Sequence, residues 1–207
     1  MEPFCVIIPN RPGREKLFDH CIWQINRMTL KPEMVYNIDH PAKGEGIDIG
    51  ERMNEGVRMA KADGFDLCFV IENDDFLPAD YFERYGDFTS DFFGSEDTIY
   101  YHIRNKTWEI TSHPRRSSLF TTGFRISQLK DFVFPNSTPF VDIALWKHAQ
   151  GKWMKFINTG AVGIKGHGIG KTGGKGHVQI MPNKDPNYAW LKSHVDPVSF
   201  EFYMSLL

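Results

Sequence analysis

The chain carries two runs of unbroken apolar residues, Phe4-Cys5-Val6-Ile7-Ile8-Pro9 and Leu67-Cys68-Phe69-Val70-Ile71. Neither alternates with polar residues, so both predict strands buried on two faces, as in a parallel α/β sheet. Between them the period changes. Leu17, Phe18, Cys21, Ile22, Ile25 and Met28 fall on one face of a helix over about 15–28. Pro12 and Gly13 break the chain just before it. Met34–Ile38 predicts a second strand, ending at Asp39. Asp48–Ala62 predicts a second helix, with Met53, Val57 and Ala60 inward and Gly64 as its stop. Strands alternating with helices predict parallel crossovers.

Beyond residue 77 the pattern is more mixed. Pro78 predicts the start of a short helix through Tyr85. Thr98–Ile103 and Thr107–Thr111 predict neighbouring strands, and Ser117–Phe124 another extended segment. Asp142–Gln150 predicts a helix closed by Gly151, and Phe156–Ile164 a last strand. No internal repeat is present. A length of 207 residues suits one domain with a sizeable core. The reading is a single α/β domain, with a front half over 1–76 and a second half over 77–207.

Composition narrows this. At 41% hydrophobic and 14% aromatic the chain is not of disordered type. Cys5, Cys21 and Cys68 lie far apart, which argues against a disulfide scaffold or zinc site and for a reducing compartment. No apolar run approaches the roughly 18 residues of a spanning helix, and the first residues carry no basic leader. The expectation is a cytoplasmic protein with no membrane insertion and no obligate protein partner.

The end of the second apolar run is the candidate chemistry. Leu67–Ile71 passes directly into Glu72-Asn73-Asp74-Asp75. Open α/β sheets place ligands at the carboxyl ends of their strands. Clustered carboxylates repel one another and call for a cation. Mg²⁺ or Mn²⁺ takes oxygen ligands and keeps positions open for a diphosphate. The same residues are also compatible with a solvated acidic turn.

In order and spacing, four segments resemble a compact GT-A glycosyltransferase, similar to family 2, over about residues 4–167. They are Val6–Arg14, Arg52-Met53-Asn54-Glu55-Gly56, Glu72-Asn73-Asp74-Asp75 with Pro78 and Glu83 behind it, and Phe140–Trp146. They resemble the opening strand with its nucleotide-binding turn, the R-N-x-G helix, the D-x-D region and the E-D segment that opens the acceptor-side helix. Two positions depart from the pattern: Glu72 stands for the first Asp, and Val141-Asp142 keeps one carboxylate of the E-D pair. The resemblance implies a GT-A-like, mostly parallel central sheet flanked by helices, with the nucleotide sugar, most simply a UDP-sugar, bound by the front half. It implies donor contacts from Pro9, Arg11, Asp39, Arg52, Asn54 and Asn73. It implies metal ligation by Asp74 with Glu72 or Asp75 in support, and by a histidine after the last strand, His167 or secondarily His177. Asp142 becomes the general base toward an acceptor hydroxyl. Each has a plainer alternative: a helix N-cap for Asp142, a turn residue for Asp39, a solvated helix residue for Arg52.

The segment Gly163–Gly176 holds seven glycines in fourteen residues. Gly170-Lys171-Thr172 echoes a P-loop, but the leading glycine is missing and no long helix follows. A loop whose backbone amides and Lys171 approach a phosphate suits it better. Net charge is −2, yet residues 165–192 carry Lys165, Lys171, Lys175, Lys184 and Lys192 against Asp185 alone, near Tyr188 and Trp190. Arg115 and Arg116 add a second basic point. Such a face can clamp a diphosphate, track a DNA backbone or simply be solvated. This segment and Ser117–Phe124 are also similar to small stand-alone phage glycosyltransferases. That likeness implies a DNA acceptor carrying hydroxymethylated pyrimidines, modified in the host cytoplasm. The alternatives are a glycan-directed glycosyltransferase, a nucleotidyltransferase and a non-catalytic nucleotide-sugar-binding protein.

Overall fold

The structure, a computed structural model, describes residues 2–41, 48–169 and 181–207. Strands β1 (Phe4–Ile8), β2 (Met34–Asn37) and β3 (Leu67–Val70) are parallel neighbours, joined through helices α1 (Glu15–Asn26) and α2 (Ile49–Ala62). They form one side of a six-stranded sheet completed by β4 (Phe92–Gly94), β7 (Gly123–Arg125) and β8 (Met154–Phe156), in the order β2-β1-β3-β7-β4-β8. β7 runs antiparallel to β3 and β4, and β8 parallel to β4. A second sheet, β10-β6-β5-β9, is built from β5 (Asp97–His102), β6 (Thr107–Ser112), β9 (Val162–Lys165) and β10 (Asn183–Lys184). Helices α3 (Val141–His148), α4 (Ala189–His194) and α5 (Pro197–Met204) complete the chain.

The unbroken apolar runs have a direct structural cause. Successive residues of a strand face opposite sides of the sheet, and both sides are covered. Phe4, Val6, Ile8, Leu67, Phe69 and Ile71 pack with Cys21 and Ile25 of α1 in one core. Cys5, Ile7, Cys68 and Val70 pack with Met53 and Ala60 of α2 and Leu145 and Trp146 of α3 in the other. The two sheets meet where Phe76 and Val162 exchange backbone hydrogen bonds at 2.9 and 3.0 Å. This crossing sits directly behind the acidic turn.

Several expected elements differ. The strand expected over 156–164 is two strands in different sheets, β8 and β9. Ile157 N donates to Gly94 O and Val162 N to Phe76 O, so the chain changes partner between them. The helix expected from Pro78 reduces to one 3₁₀ turn at Glu83–Tyr85. The extended segment expected at 117–124 contains a 3₁₀ turn, Leu119–Thr121, before β7. Helices α4 and α5 have no counterpart in the sequence expectations. Asp196 caps α5, its side chain accepting from Ser199 N at 3.0 Å.

One buried group between α1 and α5 makes stability depend on pH. The ring of His20 stacks on Phe202 at 3.9 Å and on Trp23 at 5.3 Å, and its Nε2 is buried without a hydrogen-bond partner. Burial pushes the imidazole down from 6.5 to about 4, against the pull of Asp196 and with the help of Arg27. The folded state therefore keeps His20 neutral while the unfolded chain protonates below about 6.5. Stability from this group is complete above that pH and is lost as pH falls toward about 4, by up to ~3 kcal/mol. We expect His20→Phe to flatten the fall in urea-unfolding free energy between pH 6.5 and 4.5. The same pH slope in both proteins would contradict this.

Candidate functional site

β1 and β3 are parallel and adjacent, so both carboxyl ends open at one edge of the sheet. After β1 the chain turns through Pro9, Asn10 and Arg11; after β3 it turns through Glu72–Asp75. Asn10 joins the two turns. Its Oδ1 accepts from Arg11 N at 2.7 Å and from Asn73 Nδ2 at 2.6 Å. Gln24 of α1 holds the acidic turn from beneath, donating to Asp75 O at 3.0 Å and accepting from Leu77 N at 2.8 Å. The turn's buried backbone groups thus find partners in a side chain.

Two of the acids are paired with cations. Asp74 Oδ2 meets Arg14 Nη2 at 2.9 Å and His167 Nε2 at 3.1 Å. Asp75 Oδ1 accepts from Ile164 N at 2.9 Å and lies 3.5 Å from Lys165 Nζ. Burial works to raise the Asp74 carboxyl, but Arg14, Lys165 and His167 outweigh it and hold it far below the usual range. Burial raises Asp75 well above that range, with Lys165 opposing and Asp74 and Glu72 adding to the rise. Glu72 is raised by burial too, again against Lys165. Burial would lower Lys165, yet Asp75, Asp74 and Glu72 hold it up. The arithmetic is simple: three carboxylates face the two permanent cations Arg14 and Lys165. Asp74 takes its full charge, and the strain of the third falls on Glu72 and Asp75.

His167 follows β9 directly. Ile169 N donates to its Nδ1 at 3.1 Å, so the proton of the neutral ring sits on Nε2, facing Asp74. Among the described residues, no group of three or more His, Cys, Asp or Glu side chains converges to enclose a metal. The donor set still suits a hard divalent ion. A carboxylate and an imidazole are donors such an ion accepts, and ligation through His167 Nε2 would require that nitrogen to give up the proton it now directs at Asp74, with Ile169 N releasing Nδ1. Such ions are commonly held by one or two protein groups plus substrate phosphates and water.

Asp142 lies in the first turn of α3, where its Oδ2 accepts from Arg116 Nη1 at 3.0 Å. Its charge reaches Glu72 and contributes to the raised pKa there. Phe140 and Ile143 flank it, 61% and 45% exposed. At the other side, Asp39 is exposed beyond β2, its Oδ2 accepting from Asn37 Nδ2 at 2.9 Å. Arg11 donates to Asp48 Oδ1.

Two residues expected to touch the donor are placed otherwise. Arg52 is fully buried, so it is neither a direct donor contact nor a solvated helix residue. Its guanidinium is spent on Asp48, Ile38 O and His40 O. Both polar ends of the Asn54 amide are spent on the backbone of Phe134. Lys171, Lys175, His177 and the Gly170-Lys171-Thr172 motif lie outside the described residues. Trp190 is stacked with Trp108 at 4.5 Å and His194 at 3.8 Å, and Lys106 lies over Tyr188 at 4.6 Å. These contacts lie within the protein, and Trp108, Tyr188 and Trp190 remain half-buried.

Sequence reasoning gave no site role to Asn10, Arg14 or Asp48, and placed Lys165 only in a basic face able to clamp a diphosphate, not against the acidic turn. Lys165 carried a signal, being a cation at the end of the apolar run Ala161-Val162-Gly163-Ile164. Arg14 belonged to the turn after β1 but was given no partner.

No protein-family model and no curated protein matches the chain. Solved structures do. Residues 1–349 of S. aureus TarS, in complex with UDP-GlcNAc, superpose with a TM-score of 0.58 at 13% identity, over 79% of this chain and 58% of that one. A longer S. aureus TarS chain gives 0.58 at 12%, over 80% of this chain and 37% of that one. The UDP complex of TarS 1–349 gives 0.50 at 12%, over 76% and 61%. The chain therefore spans less than two thirds of each of these neighbours. The fold is GT-A-like: a mixed α/β arrangement with a central six-stranded sheet flanked by helices. Among the described residues, no helix is long and apolar enough to cross a membrane.

Proposed function

We propose that this chain is a glycosyltransferase that moves a sugar from a nucleotide-sugar donor, a UDP-sugar first among candidates, to an acceptor hydroxyl. The observation that carries the reading is the acidic turn itself. Asp74, bonded to Arg14 and His167, sits at the carboxyl end of the central strands, with the charge of Asp142 felt beside it. That TarS is solved with UDP-GlcNAc and with UDP supports the choice of donor.

The chemistry follows from the charges. The acceptor O–H attacks the anomeric carbon, the bond from that carbon to the diphosphate oxygen breaks, and UDP departs with the electron pair. Asp142 takes the hydroxyl proton. Asp74 and His167 would hold Mn²⁺ or Mg²⁺, with Glu72 or Asp75 in support. A bound divalent ion would neutralise charge on the leaving diphosphate. Arg14 and Lys165 add fixed positive charge at the same edge, where preorganised cations are most effective. Asp39 reads the base, and Pro9, Arg11 and Asn73 line the nucleotide. The direct test is UDP release from a panel of UDP-sugars. No release from any donor, with or without Mn²⁺, would remove the reading.

For the acceptor, the likeness to phage enzymes and Lys171, Lys175, Lys184 and Lys192 support DNA bearing hydroxymethylated pyrimidines. A hydroxymethyl group lies in the major groove, so the enzyme must reach it there or extrude the base. Transfer should then fall steeply with salt, because each neutralised phosphate releases counterions. Lys171→Ala with Lys175→Ala should weaken DNA binding across sequences and flatten the salt slope by about 2. If these lysines serve the donor diphosphate instead, the double variant raises donor KM and leaves DNA affinity unchanged. Labelled UDP-sugar with hydroxymethylated and plain DNA separates the two; label on neither, with transfer to a glycan, would end the DNA assignment.

A further inference from the structure

One turn of α2 touches both sides of the candidate site. Arg52 lies under the loop that follows β2. Its Nη1 donates to Ile38 O at 2.9 Å and its Nη2 to His40 O at 2.7 Å, the carbonyls on either side of Asp39. Asp48 Oδ2 holds the same guanidinium through Nε at 3.0 Å and Nη2 at 2.7 Å. Asp48 Oδ1 in turn accepts from Arg11, in the turn after β1. One buried carboxylate thus links the two loops that border the donor side. Burial tends to raise that carboxyl, and Arg52 and Arg11 outweigh it and hold it low.

Two residues on, at about 100° per residue, Asn54 projects to the other flank of the helix. Its Oδ1 accepts from Phe134 N at 2.8 Å and its Nδ2 donates to Phe134 O at 2.9 Å. Phe134 lies in the segment that leads into α3 and Asp142. Gly50, one turn before Asn54, packs against the same segment so tightly that a Cβ there would sit 2.2 Å from Pro135 O.

These bonds go to loops, not to the sheet. Packing α2 on β1 is already achieved by Met53, Ala60 and Gly56, the last lying directly over Ile7. A buried arginine is a costly way to add packing, since an apolar residue of similar volume does it as well. What the polar groups supply is geometric: each fixes a backbone segment next to a residue of the site.

We propose that Arg52 and Asn54 are positioning residues of the transfer reaction, which rests on the glycosyltransferase reading above. Arg52 sets the donor-side loop that carries Asp39. Asn54 sets the acceptor-side segment that carries Asp142. Because both stand on one helix, donor and acceptor meet at a fixed separation.

The test uses Arg52→Lys, which keeps the charge but loses the planar fork, and Asn54→Ala, in the full chain. Amide hydrogen exchange should rise in 36–41 for the first and in 132–140 for the second, with little crossover. Arg52→Lys should weaken UDP binding by about 10-fold, and Asn54→Ala should leave it within about 2-fold. UDP release from saturating UDP-sugar should fall about 10- to 100-fold in Asn54→Ala, the scale for a reacting group misplaced by roughly 1 Å. Asn54→Asp, which keeps the acceptor for Phe134 N, should fall between Asn54→Ala and wild type. The proposal is overturned if both variants move the same quantity, or if both lose thermal stability alone with UDP affinity and turnover unchanged. A wild-type protein that binds no UDP counts against the functional reading, and the exchange split then still decides whether α2 holds the two loops separately.

Discussion

Asp142→Asn is expected to lower kcat by a factor on the order of 10²–10⁴, the range for loss of a general base. Donor affinity should barely change, because the proposed donor contacts, Pro9, Arg11, Asp39 and Asn73, do not include Asp142. The asparagine is nearly isosteric and can still accept from Arg116, which now donates to Asp142 at 3.0 Å. The local geometry of α3 should therefore survive, and circular dichroism and the melting temperature should match wild type closely. What disappears is the capacity to take a proton. If kcat is normal and only the melting temperature falls, Asp142 is a helix-start residue and the base lies elsewhere.

Asp74→Asn should have the larger consequence for binding. Asp74 is the one acid of the turn whose carboxyl is held far below the usual range, by Arg14, Lys165 and His167 against its burial. Removing it leaves Arg14 without its carboxylate and His167 Nε2 without a charged acceptor. Truncating one partner of a buried pair costs about 3–5 kcal/mol. Here the loss is tempered, because the net charge of the turn moves toward balance with Lys165. We expect a folded protein of reduced stability, no Mn²⁺-dependent UDP binding and no turnover. Wild-type turnover by Asp74→Asn, or wild-type turnover unaffected by excess EDTA, would remove the metal role from this turn.

The front of the molecule was legible because its signals are local. Phe4–Ile8 and Leu67–Val70 lack polar alternation, and both faces of these strands are in fact covered. The acids were legible for the same reason: a dry strand that ends in three carboxylates is a local pattern. What escaped depends on distant partners. Nothing within 156–164 says that its two ends join different sheets; that is decided by Gly94 and Phe76. Arg52 read as a donor contact, or alternatively a solvated helix residue, because the carbonyls it serves, Ile38 and His40, lie 12 to 14 positions earlier and carry no side-chain signature. Lys165 pairs with Asp75 across 90 residues. Of the two C-terminal helices, α5 had a readable start in Asp196-Pro197, an N-cap followed by proline in the first turn, and it was passed over; the N-cap residue of α4, Tyr188, makes no side-chain cap.

If a nucleoside diphosphate sugar binds at the acidic turn, UDP should protect the protein against thermal unfolding. At a UDP concentration of about 100 times Kd, a ligand bound only by the folded state adds about 2.7 kcal/mol. For a chain of this size that corresponds to a rise in Tm of about 5–10 °C. The wild type should show that rise with UDP and Mn²⁺ and a smaller one with UDP and EDTA, and Asp74→Asn should show only the smaller rise under either condition. An unchanged Tm for the wild type, or a rise in Asp74→Asn equal to that of the wild type with Mn²⁺, would contradict binding at that turn.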